Sequence, residues 1–299
     1  MFEKLLEQVQ AGDQKSIARS ISLVENEVEG YETLLQSLPA SATPIIGITG
    51  PPGAGKSTLA DALIEALVNK QKRVAVLCVD PSSPFNLGAL LGDRIRMSEW
   101  YNHPHVFIRS LATRGSLGGL HPKIIEIAEL LKTAPFDYVI VETVGVGQSE
   151  IEIAGLADTT VVVVVPEAGD EVQTMKAGLM EIADVFVVNK SDRPEADLFV
   201  KNLRQMLAPA FHTHKEEIPV IKTIASQKKG IEELMNAILT HLHTHNSPPQ
   251  KAWLLAERAY QLIQQKRMKD IDKRVLKDSI EKLLAEKHFN LYSFVQHLQ

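Results

Sequence analysis

The residues Gly50-Pro51-Pro52-Gly53-Ala54-Gly55-Lys56-Ser57 have the types and spacing needed to wrap a chain of phosphates. They fit the pattern G-x-x-x-x-G-K-[ST] and stand between an apolar run ending at Thr49 and a helical pattern from Ser57 to Val68. Glycines let backbone N–H groups curl around phosphate oxygens at a helix N-terminus. A lysine brings positive charge to the β and γ phosphates, and the hydroxyl that follows it can ligate Mg²⁺. Gly50, Gly53, Ala54, Gly55, Lys56, Ser57 and Thr58 are therefore expected to hold the nucleotide. Lys56 is also expected to act in catalysis, and Ser57 on the metal.

A second group chooses the base. Asn189-Lys190-Ser191-Asp192 follows the apolar run Val185–Val188, and a carboxylate such as Asp192 can accept two hydrogen bonds from N1 and the exocyclic amine of guanine. Adenine offers no such pair, so a site built on that carboxylate rejects it strongly. In Thr223-Ile224-Ala225-Ser226, the backbone N–H of Ala225 is placed to meet guanine O6. Asn189, Lys190, Asp192 and Ala225 complete the expected nucleotide set.

Between these groups, Val139-Ile140-Val141-Glu142-Thr143-Val144-Gly145 is an apolar strand ending in an acid, with a glycine three residues later. That layout suits an acid linked to Mg²⁺ and a glycine N–H that senses the γ-phosphate. Glu142 stands where Asp is more usual, and its longer arm can hold the metal through water. Asp80 and Asp93 supply further carboxylates, giving Ser57, Asp80, Asp93 and Glu142 as the metal set and Lys56, Asp80 and Glu142 as the catalytic set. The alternative for Asp80 is a turn cap before Pro81, and for Glu142 a cap at the strand end. The segment 82–114 is too long and irregular for a plain connection and reads as a nucleotide-responsive loop. Its Arg94, Arg96, Arg109 and Arg114 could reach phosphate or a partner, or form surface ion pairs. Val146 follows Gly145 where many fast nucleotide hydrolases place a water-orienting Gln, and Gln148 is out of that register, so unaided hydrolysis should be slow.

The elements that must position these groups are short β-branched runs at 44–49, 74–79, 106–108, 138–141, 160–165, 185–188 and 220–223. Helix-length segments separate them, which implies an α/β, doubly wound, mostly parallel sheet. Residues 1–42 repeat apolar positions at helical spacing (Leu5, Val9, Ile17, Ile21, Val24, Leu34, Leu35) with a break at Gly12-Asp13, and read as a helical extension. The nucleotide-binding domain occupies 43–246. After Ser247-Pro248-Pro249 the composition turns to Lys, Gln, Glu and Leu without Gly, and 247–299 reads as a helical arm that either packs on the core or makes a dimer.

With 299 residues, 23% charged and 44% hydrophobic, the chain can bury one full core with helical attachments. A net charge of -5 gives no electrostatic footprint for nucleic acid or an anionic membrane. The single cysteine, Cys78, sits in an apolar run and reads as a buried, inert thiol. The start lacks the character of a signal or transit peptide, and no apolar run is long enough to span a bilayer, so a cytoplasmic protein is expected. His241, His243 and His245, with His212 and His214, invite a metal reading, but alternating histidines before a Pro-Pro linker more often form a solvated tail.

Longer stretches make the chain resemble the MeaB/ArgK-like GTPases, the G-protein chaperones of methylmalonyl-CoA mutase. They are VDPSSPF (79–85), LGDRIRM (91–97), FIRSLATRGSLGGL (107–120), VETVGVGQSE (141–150), AGDEVQTMKAGLMEIAD (168–184) and NKSD (189–192). The resemblance implies GTP and Mg²⁺, slow hydrolysis hastened by a partner, and a homodimer formed through the C-terminal arm. It also implies gating of adenosylcobalamin delivery to methylmalonyl-CoA mutase or a related mutase, with a cob(I)alamin adenosyltransferase as a further partner. On its pattern Asp80, Asp93 and Glu142 resemble the acids of the metal site, and residues 166–178, including Asp170 and Lys176, resemble a switch that reports nucleotide state. The nearest alternative is a nickel-insertion GTPase, which would employ the histidines but normally needs Cys or His near its switches. A P-loop small-molecule kinase is a more distant one, since it has no use for Asp192 as a guanine reader.

Overall fold

The structure, a computed structural model, describes residues 2–80, 97–113, 120–145, 149–166, 177–207, 217–244, 249–286 and 289–296. Of the residues singled out above, Asp93, Arg94, Arg96, Arg114, Val146, Gln148, Asp170, Lys176, His212, His214 and His245 lie outside the described residues.

The seven apolar runs form one sheet: β1 (Ile45–Thr49), β2 (Val74–Asp80), β3 (Val106–Ala112), β4 (Tyr138–Glu142), β5 (Thr159–Val164), β6 (Val185–Val188) and β7 (Val220–Lys222). Their order is β3-β2-β4-β1-β5-β6-β7, and every neighbouring pair is parallel. All residues of β1, β2, β5 and β6 are buried, which is why they read as unbroken hydrophobic runs rather than alternating ones. β3 runs four residues past its apolar start. It is an edge strand whose middle, Ile108 to Ser110, is only half-buried, so polar side chains continue it where sequence pattern alone would end it.

The helices begin with α1 (Phe2–Gln10), α2 (Gln14–Glu25) and α3 (Tyr31–Gln36), followed by α4 (Lys56–Asn69), α5 (Ile124–Lys132), α6 (Ser149–Leu156), α7 (Ala177–Ile182), α8 (Ala196–Leu207) and α9 (Ile231–Thr244). One sheet face buries Ile46, Ile48, Val76, Ile140, Val163 and Val187 against Leu63 and Leu67 of α4 and Leu234 and Ile238 of α9. On the other face α6 comes very close to β1. A Cβ on Gly47 would lie 2.7 Å from Ile153 Cγ1 and 2.9 Å from the Ala157 Cβ, so only glycine admits that packing.

The extension forms as its spacing predicts. Asp13 caps α2 by accepting the Ser16 N–H at 2.8 Å, and Val9, Ile17, Ile21, Val24 and Leu34 are fully buried. Arg109 of β3 binds it, donating from Nη2 to Glu25 Oε2 at 2.8 Å and to Ser22 Oγ at 3.2 Å. Of the roles open to Arg109, the structure gives it this ion pair.

By internal contacts the chain divides into Met1–Lys251 and Ala252–Gln299. Among the described residues the second unit holds α10 (Pro249–Arg267), from Ala252 onward, α11 (Lys273–Ala285) and α12 (Leu291–Gln296). Asp272 caps α11 through the Arg274 N–H at 2.7 Å. Trp253, Tyr260, Ile263, Val275 and Leu291 are exposed. Among the described residues no helix is long and apolar enough to cross a membrane.

Candidate functional site

The chain order of the strands reverses around β1, whose neighbours are β4 and β5, so a crevice opens at the carboxyl ends of these strands. The sequence leaves β1 there as the loop from Gly50 to Gly55 and re-enters as α4. Gly55, the N-cap of α4, has φ +88°, and a Cβ on it would collide with the Asn189 amide. Lys56 curls back over its own loop, donating to Gly50 O at 2.9 Å and Pro51 O at 3.1 Å, and only 7% of it is exposed. A buried ammonium held on the carbonyls of a loop at a helix N-terminus can offer positive charge to a phosphate.

The acids converge from the adjoining strands. The ladder sets Glu142 of β4 beside Ile48 of β1 and Cys78 of β2, and Asp80 ends β2 two residues beyond Cys78. Residues two apart in a strand share a face, so Asp80 stands on the same side of β2 as Val76 and Cys78, the side covered by α4. Ser57 Oγ donates to Glu142 Oε1 at 2.6 Å, and Ser57, Asp80 and Glu142 are all buried. Glu142 and the loop hydroxyl are thus brought together, with Asp80 on the same side of the sheet at the end of the neighbouring strand. Beyond Glu142, Thr143 continues the β1–β4 ladder with its N–H on Ile48 O at 3.0 Å, leading to Gly145 at φ +82°. A side chain at Gly145 would run into Lys56 Nζ and Gly50 O, so this glycine lies directly against the phosphate loop.

The base motif is tied to the same loop. Asn189 is 3% exposed. Its Nδ2 donates to Ala54 O at 2.9 Å, while its Oδ1 accepts from Thr223 Oγ1 and from the Ala225 N–H, both at 3.1 Å. Lys190, at φ +56°, donates from Nζ to Gly53 O at 2.8 Å. One asparagine therefore joins the phosphate loop, the end of β7 and the turn that carries Ala225. The Ala225 N–H, expected on guanine O6, is donated to Asn189 in this structure. Asp192 is exposed on a turn braced by the Ser191 N–H on Thr223 O at 3.0 Å.

Three threonines escaped the sequence reading as supports of the site. Thr49 and Thr143 share a buried hydroxyl contact of 2.9 Å at the ends of β1 and β4, and Thr223 supports Asn189. For Thr49 and Thr223 the signal was available, a hydroxyl residue closing a largely apolar run. Of the histidines, His243 is exposed as a solvated tail would have it, but His241 is not. His241 is engaged through Nδ1 with Thr159 Oγ1 at 2.9 Å and through Nε2 with Asp184 Oδ1 at 3.2 Å, on the sheet end opposite the phosphate loop. Among the described residues no three His, Cys, Asp or Glu side chains gather to hold a metal ion.

With this geometry in place, the chain can be compared with known proteins. Residues 17–280 match the family model described as "Methylmalonyl Co-A mutase-associated GTPase MeaB". The chain belongs to this family. It is 48% identical over 246 residues to a protein of Pyrococcus abyssi named as a GTPase, covering 81% of this chain and 76% of that one. To the GTPase ArgK of Escherichia coli it is 33% identical over 298 residues, covering 96% and 87%. A fused isobutyryl-CoA mutase of Geobacillus kaustophilus is 39% identical over 237 residues, which are 74% of this chain and 22% of that protein. Among solved structures, that of an LAO/AO transport system kinase superposes with a TM-score of 0.68 at 25% identity, covering 99% of this chain and 96% of the other. The fold is thus that of a P-loop nucleotide hydrolase, and membership of the MeaB family makes the chain a GTP hydrolase.

Proposed function

We propose that this MeaB-family GTPase couples GTP hydrolysis to the loading and protection of an adenosylcobalamin-dependent acyl-CoA mutase, methylmalonyl-CoA mutase or a relative. The observation that carries the reading is the direct bonding of a phosphate loop to a guanine motif through Asn189 and Lys190, in a chain whose family is named for association with that mutase. The fused isobutyryl-CoA mutase supports it, because a segment resembling this chain there belongs to a protein named as a mutase.

In this reading Gly50 to Thr58 cradle the phosphates, Gly145 senses the γ-phosphate, and Asp192 and Ala225 select guanine. The donor set around Ser57 is a hydroxyl and buried carboxylates, all oxygen, which fits a hard cation such as Mg²⁺. Ser57, Glu142 and Asp80 would hold it with Asp93, and when bound it would neutralise charge on the β and γ phosphates. Lys56 holds positive charge where the γ-phosphoryl group transfers to water. Glu142 orients the Ser57 hydroxyl. With Val146 at the position of a water-orienting Gln, unaided hydrolysis is slow, and the mutase completes the site. Asp170 and Lys176 belong to the switch that reports the state of the site, and a cob(I)alamin adenosyltransferase would supply the cofactor. Exposed apolar side chains of the C-terminal unit, Trp253 and Tyr260 among them, support a homodimer formed by that arm.

The test is linkage. If nucleotide gates the mutase, the protein loaded with GDP and with a non-hydrolysable GTP analogue must bind purified methylmalonyl-CoA mutase with different affinity in calorimetry. Equal affinities would overturn the gating.

A further inference from the structure

Thr49 ends β1, and Thr143 follows the last residue of β4. The register that sets Ile48 beside Glu142 sets these two beside each other, one step further along. Successive residues of a strand point to opposite faces of the sheet. Glu142 lies with Ser57 on the face covered by α4, so the threonines lie on the other. There Thr49 shares its side of β1 with Gly47, over which α6 closes. Thr49 is fully buried and Thr143 is 1% exposed, and their hydroxyl oxygens are 2.9 Å apart. Among the described residues neither hydroxyl has another partner.

Two valines at these positions would adhere without direction. Two buried hydroxyls instead carry a desolvation cost that the bond between them offsets, and that bond holds only while the oxygens stay close. The pair is thus a gauge of the distance between the two chains that leave the sheet. One chain becomes the phosphate loop at Gly50. The other reaches Gly145, where a Cβ would lie 2.5 Å from Gly50 O and would also strike Lys56 Nζ. We propose that Thr49 and Thr143 are a positioning pair for the γ-phosphate: their hydrogen bond holds the stem of the Gly145 turn against the stem of the phosphate loop, and so sets the Gly145 N–H relative to Lys56. The inference rests on reading Gly145 as the group that senses the γ-phosphate. The phosphate loop has other fastenings, at Ala54 by Asn189, at Gly53 by Lys190, and at Gly50 and Pro51 by Lys56. Loss of the pair therefore leaves the loop itself in place and loosens the γ-phosphate side.

The experiment compares Thr49→Val and Thr143→Val, which keep the shape and lose the bond, with Thr143→Ser, which keeps the hydroxyl, and with the double valine variant. Gly145→Ala is the control. Kd for GDP and for a non-hydrolysable GTP analogue, single-turnover GTP hydrolysis and thermal denaturation are measured on each. One neutral hydrogen bond corresponds to about a fivefold change in an equilibrium constant. Each valine variant should therefore bind the GTP analogue about fivefold more weakly and hydrolyse GTP more slowly, with GDP affinity close to the parent's. Thr143→Ser should stay close to the parent in both. In the double variant no hydroxyl is left buried without a partner, so it should recover thermal stability over the single variants yet keep their weakened GTP binding. If the folded valine variants keep the parent's ratio of GTP-analogue to GDP affinity while Gly145→Ala lowers it, the pair is only a core contact and the proposal falls. It falls too if Thr143→Ser is as impaired as Thr143→Val, which would assign the effect to side-chain shape. If the valine variants lose GTP-analogue affinity and Gly145→Ala does not, the pair stands at the γ-phosphate and the reading of Gly145 falls. If none of them changes the ratio, both fall.

Discussion

Replacing Asn189 with alanine should uncouple base recognition from phosphate binding. The side chain makes three buried hydrogen bonds, to Ala54 O, from Thr223 Oγ1 and from the Ala225 N–H. A buried neutral hydrogen bond contributes about 1 kcal/mol net, so Asn189→Ala should cost about 3 kcal/mol, shared between folding stability and nucleotide affinity. Were all of it to fall on affinity, Kd would rise about a hundredfold. The bridge contacts the loop at Ala54 and the turn that carries Ala225, whereas Lys56 is held on Gly50 O and Pro51 O. GTP and GDP should therefore weaken by the same factor. Thr223→Val removes one of the three bonds and should cost about 1 kcal/mol. The assay is titration of fluorescent GDP and a GTP analogue, run beside thermal denaturation. Full nucleotide affinity in a folded Asn189→Ala protein would refute the argument, as would a loss confined to GTP.

Gly145→Ala drives a methyl group into Lys56 Nζ and Gly50 O at a φ of +82°, so single-turnover GTP hydrolysis should fall by more than about tenfold while GDP affinity changes little. Asp192→Ala removes the proposed acceptor for guanine N1 and the exocyclic amine. The preference for GTP over ATP, measured by competition, should drop by orders of magnitude, through loss of GTP affinity. Asp137 supplies a pH test. Burial raises the pKa of its carboxyl, but the Arg73 N–H at 2.8 Å and the Lys72 ammonium at 2.9 Å outweigh that and hold it below its usual value. A depressed folded pKa gives stability that is present above the unfolded value of about 3.9 and lost as pH falls through the folded one. Asp137→Asn should therefore destabilise the protein at neutral pH, and denaturant midpoints for parent and variant should converge in acid.

The sheet was legible because its strands are buried on both faces, so each appears as a run of Val and Ile with helix-length spacing. β3 was the exception, since an edge strand tolerates Arg109 and Ser110 and the apolar signal stops early. Gly50 to Ser57 and Asn189 to Asp192 announced themselves as motifs, because their spacing follows from the dimensions of phosphate and base. That Asn189 would reach Ala54 could not be read, because a contact across 135 residues depends on how β1 and β6 flank β5. His241 misled for the opposite reason. Alternation with His243 suggested a solvated tail, whereas the helix turns His241 onto Asp184 and Thr159. Trp100 offered no signal at all, since an isolated tryptophan in a polar stretch does not say that Asp61 of α4 will accept its N–H.

Single-turnover hydrolysis of GTP and of ATP by the purified protein, with and without methylmalonyl-CoA mutase, tests the central claim most directly. The account predicts slow turnover of GTP alone, accelerated by the mutase. Equal turnover of ATP would contradict the guanine site, and GTP turnover indifferent to the mutase would contradict the coupling.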